Sequence, residues 1–252
     1  MPLAITAAGA IFYARRGASG PALICIHGAG GTHAHWGYQL RDLDGVAQVY
    51  TIDLPGHGRS ALPGRASIAG YGLALHELMD AIGLERAALV GHSMGGAIAL
   101  WTALERPERV AGLGLVGAGA RLRVAPAILE GLGRDLPATI RLIVEYSYAA
   151  AAPPELRARA EASYALCDPV VYRDDFVACD GFDVAARLPA IRCPAAIVCG
   201  AEDRMTPPKY GEQLRAGLPD ATLTLVPGAG HMLMIERPAA VSEALRALAQ
   251  RL

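Results

Sequence analysis

Ala87-Ala88-Leu89-Val90-Gly91-His92-Ser93-Met94-Gly95-Gly96-Ala97-Ile98-Ala99-Leu100 is the stretch on which the fold turns. It opens with an apolar run of strand length, and residues 97–105 carry helical periodicity. Between the two runs Gly91, Gly95 and Gly96 surround a serine, and glycine is the residue that tolerates a sharp reversal. Residues 87–104 contain no Asp, Glu, Lys or Arg, so length alone admits a membrane span. A helix lying alone in lipid, however, gives no reason to put three glycines, His92 and Ser93 at its centre. The reading is a buried strand, a tight turn and a buried helix.

Working outward, residues 11–14 and 22–26 read as an opening hairpin. Residues 46–52, 88–90, 110–116, 195–199 and 222–226 read as further strands. Helical spacing is clearest over 68–82, 97–105 and 241–252, where Val241, Leu245 and Leu248 share a face. Strands alternating with helices predict an α/β fold, a mostly parallel sheet flanked by helices. From 117 to 189 the rhythm fails, and helical segments 138–148 and 155–166 follow one another across Pro153-Pro154 and Pro169. The expected organisation is a core of residues 1–117 and 190–252 with a helical insertion, 118–189, as a lid over a site.

A chain of 252 residues with 53% apolar content can bury a large core, which excludes disorder. Its 23 basic residues against 24 acidic ones give a net charge of −1 with no basic run, which argues against nucleic acid as a partner. The five cysteines are odd in number, and Cys193 and Cys199 lack C-x-x-C spacing, so a reducing, cytoplasmic location is expected. The first residues carry no cationic region ahead of their apolar ones, against a secretory leader. Expected partners are a small molecule and at most a second copy of the chain, as monomer or homodimer, with no membrane span.

Gly91-His92-Ser93-Met94-Gly95 has the G-x-S-x-G form of a strained strand-to-helix turn that presents a nucleophilic serine. Such a serine needs a base, and the base an orienting group. Of seven histidines only His231 follows Ser93, on a loop after the predicted strand ending at Val226. Asp203 follows another predicted strand and can reach the same sheet edge; Glu202 could substitute. His27-Gly28-Ala29-Gly30-Gly31 also follows a strand, and the backbone amides of Ala29 and Met94 are the candidate oxyanion donors. His27, Gly28, His92 and Met232 are expected to contact substrate. The glycine run is no dinucleotide fingerprint, because His33 stands where a third glycine is required. His33 and His35 lack a neighbouring carboxylate or third histidine in sequence, so no metal site is expected, and they read as the start of a helix capped by Thr32.

Taken in order, Ser93, Asp203 and His231 resemble the α/β-hydrolase superfamily, as do Asp53-Leu54-Pro55-Gly56-His57-Gly58-Arg59-Ser60 and Glu236-Arg237-Pro238. The resemblance spans nearly the whole chain. It implies an eight-stranded, mostly parallel sheet with a helical cap after the sixth strand, Ser93 as nucleophile, His231 as base, Asp203 rather than Glu202 as the acid, and no cofactor. The serine departs from the haloalkane dehalogenase and epoxide hydrolase branches, which carry an aspartate at that place. The expected activity is hydrolysis of small to medium apolar carboxylic esters. The same triad also suits a carbon–carbon hydrolase, lactonase, amidase or perhydrolase, and the fold also suits a small-molecule receptor.

Overall fold

Leu23 and Cys25 pack into one half of the core while Ile24 and Ile26 pack into the other, the period-two signature of a strand buried on both faces. This strand, β3 (Ala22–Ile26), sits inside an eight-stranded sheet ordered β1-β2-β4-β3-β5-β6-β7-β8. The others are β1 (Leu3–Thr6), β2 (Gly9–Arg16), β4 (Gln48–Ile52), β5 (Ala87–His92), β6 (Val110–Val116), β7 (Ala195–Gly200) and β8 (Ala221–Val226). β1–β2 and β2–β4 pair antiparallel; every pairing from β4 to β8 is parallel. The structure is a computed structural model and describes residues 2–7 and 9–252.

The sheet is thus of the predicted class, with one correction in its pairing. Residues 11–14 and 22–26 do not form a hairpin, because β4 lies between them, pairing with β2 on one side and β3 on the other. Gly17 and Gly20, both at positive φ, carry the chain across the start of β4, so close to the Val46 and Ala47 carbonyls that a Cβ at either glycine would collide. The hairpin is β1 with β2.

Helices α1 (Gly37–Asp42), α2 (Ile68–Ala81), α3 (Met94–Glu105), α4 (Pro126–Arg134), α5 (Leu136–Ser147), α6 (Pro154–Tyr164), α7 (Pro169–Asp180), α8 (Pro208–Gly217), α9 (Leu233–Glu236) and α10 (Pro238–Ala249) complete the chain. Ser67 caps α2 by accepting from Gly70 N at 3.1 Å. Asp168 caps α7 by accepting from Val170 N at 2.8 Å, with Pro169 preset at the first helical position. α2 and α3 are in such close contact that a Cβ on Gly72 would strike the Trp101 ring. Residues 87–104 divide at Ser93 into β5 and α3, and among the described residues no helix is long and apolar enough to cross a membrane.

Four helices, α4 to α7, fall between β6 and β7, where the strand–helix rhythm breaks in the sequence. Their neck closes on itself: Val184 N donates to Ala120 O at 2.8 Å, Leu122 N to Phe182 O at 3.3 Å, and Arg121 and Asp183 form a β-bridge. The carboxyl ends of β3, β5, β7 and β8 meet beneath this insertion, where open parallel sheets place their ligand crevices.

Candidate active site

Ser93 has φ +51° and ψ −113°, and among the described residues it is the one non-glycine residue in left-handed backbone. Holding a side chain there costs on the order of 1–3 kcal/mol, which the surroundings must offset. They do so by hydrogen bonding and tight fit: Ser93 N donates to Val116 O at 3.0 Å. A Cβ on Gly91 would run into the Gly95 carbonyl, and one on Gly95 into the Ile26 carbonyl at the end of β3. The turn therefore demands both glycines. Met94 is the first residue of α3, so its N–H has no partner within the helix and sits at the positive end of the helix dipole.

Asp203 and His231 stand on the loops after β7 and β8, 3% and 4% exposed. His231 Nδ1 donates to Asp203 Oδ2 at 2.8 Å, which fixes the tautomer and leaves Nε2 as the ring's acceptor. The other oxygen, Oδ1, accepts from Met205 N and Thr206 N, each at 2.8 Å. Thr206 Oγ1 lies 2.9 Å from both Asp203 Oδ2 and Gly117 O and 3.2 Å from His231 Nδ1. Glu202 is exposed and turns to Ala150 N, 3.2 Å away, so Asp203 is the acid that meets His231. The His231 backbone is held from the insertion, its N–H donating to Ser147 O at 2.8 Å. Glu236 adds a strut, accepting from Gly230 N at 3.0 Å and Ala149 N at 2.9 Å. Burial raises the Glu236 carboxyl above its ordinary value against the opposing pull of those two N–H groups.

The loop after β3 runs beside the serine. A Cβ on Gly28 would come 3.2 Å from Ser93 Cβ, and Gly31 N donates to Gly28 O at 3.0 Å to close a turn around Ala29 and Gly30. Three polar clamps fix this loop. His27 accepts from Leu54 N at Nε2, 3.0 Å, and donates from Nδ1 to Gly28 O, 2.8 Å, so it is neutral; burial holds its pKa well below the usual imidazole value. Asp53, fully buried, accepts from His33 N at 2.7 Å, His33 Nδ1 at 2.8 Å and Arg59 N at 2.9 Å. The third clamp comes from the insertion: Asp175 Oδ2 accepts from Gly30 N at 2.9 Å and from His57 Nε2 at 2.8 Å.

Ser93, His231, His92 and Ala29 line one cavity of about 60 Å³, together with Leu122, Val124, Ile143, Phe176, Cys179 and Met205. Arg123 and Tyr210 also reach its wall. His92 donates from Nε2 to His231 O at 3.0 Å, its buried Nδ1 has no hydrogen-bond partner among the described residues, and burial holds its pKa well below the usual value. Three of the four residues expected to contact substrate are not brought to the cavity. His27 spends both ring nitrogens on backbone, and Met232 is 1% exposed with its sulfur 3.7 Å from the Tyr164 hydroxyl. Gly28 stands behind, against Ser93 and His92. His33 does meet a carboxylate, Asp53, brought from the end of β4. Thr32 caps the turn of 3₁₀-helix His33–Trp36 as expected, while His35, its pKa pushed down to about 4 by burial, faces a separate groove. Thr206 escaped the sequence reading, although an Asp followed three residues later by Thr is an available turn signal.

A family model described as the alpha/beta hydrolase family matches residues 23–244. The chain is an α/β-hydrolase. This α/β-hydrolase is 32% identical over 238 residues to RutD of a Caulobacter species, named as a carbamate hydrolase, with 88% of each chain covered. It is also 32% identical to part of the polyketide synthase ThaQ of Burkholderia thailandensis; 92% of this α/β-hydrolase is covered, but it spans 12% of that protein's length. The enol-lactonase of Burkholderia xenovorans superposes with a TM-score of 0.91 at 22% identity, covering 99% of this chain and 100% of the other, a likeness of fold. A thermophilic esterase of Thermogutta terrifontis superposes at 0.89 with 25% identity, covering 99% and 98%.

Proposed function

We propose that this α/β-hydrolase cleaves small carboxylic esters through an acyl-serine intermediate, with residues 118–189 as its cap. The observation that carries the reading is the hydrogen bond from His231 Nδ1 to Asp203 Oδ2, 2.8 Å, in a residue pair whose histidine lines one cavity with the strained Ser93. In acylation His231 Nε2 takes the Ser93 proton as Oγ attacks the carbonyl carbon, and the Ala29 and Met94 amides hold the tetrahedral oxyanion. His231 then gives its proton to the leaving alkoxide. In deacylation it takes a proton from water, which attacks the acyl carbon, and returns it to Ser93. Asp203 fixes the ring and stabilises its cation throughout.

The cavity supports a short, apolar acyl group. Its volume is about 60 Å³, and aliphatic, sulfur and aromatic side chains make much of its wall. A second reading, carbamate hydrolysis by the same steps, is supported by the RutD relative and by that small volume. The test is a panel of short-chain esters, carbamates, lactones and amides offered to wild type and Ser93→Ala. The reading expects ester turnover in wild type and its loss in the variant. Turnover that survives the substitution contradicts it.

A further inference from the structure

Asp175 is fully buried, yet it belongs to α7 of the cap and makes its hydrogen bonds to the core. Oδ2 accepts from Gly30 N at 2.9 Å and His57 Nε2 at 2.8 Å, and Oδ1 accepts from the Tyr71 hydroxyl at 2.6 Å. The other nitrogen of His57 also faces an acceptor, Pro55 O at 3.1 Å, so both nitrogens donate and the ring is an imidazolium. The pair is a buried ion pair with both side chains fully covered. Truncating one partner of such a pair is costly, because the other charge is stranded away from water.

α7 touches the same glycine a second time. Gly30 lies at φ +63°, and a Cβ there would collide with the ring of Tyr172, one helical turn before Asp175. Gly30 is therefore pinned by the cap through a ring on one side and a carboxylate on its N–H. It directly follows Ala29, whose amide is the proposed oxyanion donor. A lone carboxylate this near would oppose negative charge developing on substrate; the imidazolium of His57 cancels it.

We propose that Asp175 is a positioning residue: by holding Gly30 N–H from the cap it sets the 28–31 turn, so that seating of the cap completes the oxyanion site. The inference rests on the assignment of Ser93 as nucleophile and Ala29 as donor. It makes the cap a component of transition-state binding as well as a cover. In Asp175→Asn the ion pair is gone and one of the acceptor positions becomes an NH₂ group, so the turn relaxes while the cavity wall keeps its shape. Displacing a reacting group by a fraction of an ångström to 1 Å costs about ten- to hundredfold in rate.

The experiment compares wild type, Asp175→Asn and Tyr71→Phe with a short p-nitrophenyl ester, rates being normalised to sites titrated by a phosphonate. It also measures affinity for an alkylboronic acid, whose tetrahedral adduct needs the oxyanion donors, and for the product carboxylic acid, which does not. The expected result for Asp175→Asn is kcat per site lower by about ten- to hundredfold and boronate affinity lower in parallel, with KM and product affinity within about twofold. Tyr71→Phe, which removes the Oδ1 contact and the hydroxyl's bond to the Arg65 backbone but leaves the Gly30 and His57 contacts of Asp175 in place, shows the same split at smaller size and serves if Asp175→Asn does not fold. Unchanged kcat per site with unchanged boronate affinity overturns the inference, as does an equal loss of boronate and product binding. Ser93→Ala, run alongside, separates the two claims: if it remains active, the assignment of the nucleophile has failed instead.

Discussion

Asp203 Oδ2 accepts the Nδ1 proton of His231 at 2.8 Å, across 28 residues of sequence and from the loop of a neighbouring strand. With that proton fixed, the ring presents Nε2 as a base. Asp203→Asn can supply an NH₂ in place of the acceptor and so favours the wrong tautomer. The expected outcome is a fall in kcat of about 10³–10⁴-fold with the fold intact, read by steady-state kinetics beside far-UV circular dichroism. A loss of less than tenfold in a folded variant counts against the pairing as the catalytic one.

Thr206 separates support from chemistry. Its hydroxyl bridges Gly117 O and Asp203 Oδ2, while its own N–H and that of Met205 continue to hold Oδ1. Thr206→Val strands a buried carbonyl, so urea denaturation should show a loss of about 1–3 kcal/mol. With the backbone donors still in place, kcat should fall far less than in Asp203→Asn. A loss as large as that of the Asp203 variant would assign the hydroxyl a role in the reaction itself.

Gly91→Ala probes the turn that carries Ser93. The new Cβ meets the Gly95 carbonyl and the Gly96 nitrogen, backbone that cannot rotate away. Overpacking of this kind costs about 3 kcal/mol or more, and the variant should be recovered mainly as insoluble or low-melting protein. A soluble variant with an unchanged melting temperature would show that the strand-to-helix turn is looser than its geometry.

The His57–Asp175 pair gives stability a defined pH dependence. Burial alone would push the imidazole pKa down, but the charge and hydrogen bond of Asp175 outweigh it and hold the pKa above its ordinary 6.5. A pKa raised on folding contributes stability that is fully present below the unfolded value and is lost as pH rises through the folded value. The stability gap between wild type and Asp175→Asn should therefore be widest below the ordinary imidazole value of 6.5 and narrow as pH rises above it, measured as urea midpoints. A gap that widens with rising pH contradicts a charged His57.

What the sequence made legible follows from distance along the chain. β5, the Ser93 turn and α3 are local, and an apolar run, a glycine-bounded serine and a helical period announce them within about a dozen residues. His231 and Asp203 could be found because each directly follows a strand. Strand partners are a different matter: nothing near residues 11–26 reveals that β4 will slip between β2 and β3. Asp175 was invisible for the same reason, its partners Gly30 and His57 lying 145 and 118 residues away. His27 and Met232 misled because adjacency to a functional residue says nothing of which way a side chain points. In both cases backbone donors or a buried packing position claimed the side chain first.

The central claim is that Ser93 is made nucleophilic by His231 and Asp203. A fluorophosphonate probe followed by peptide mass spectrometry tests it most directly. The account predicts one adduct, on the peptide containing Ser93, formed much more slowly in Asp203→Asn and absent from Ser93→Ala. Folded wild-type protein that takes up no probe, or Ser93→Ala that is labelled as fast as wild type, would contradict it.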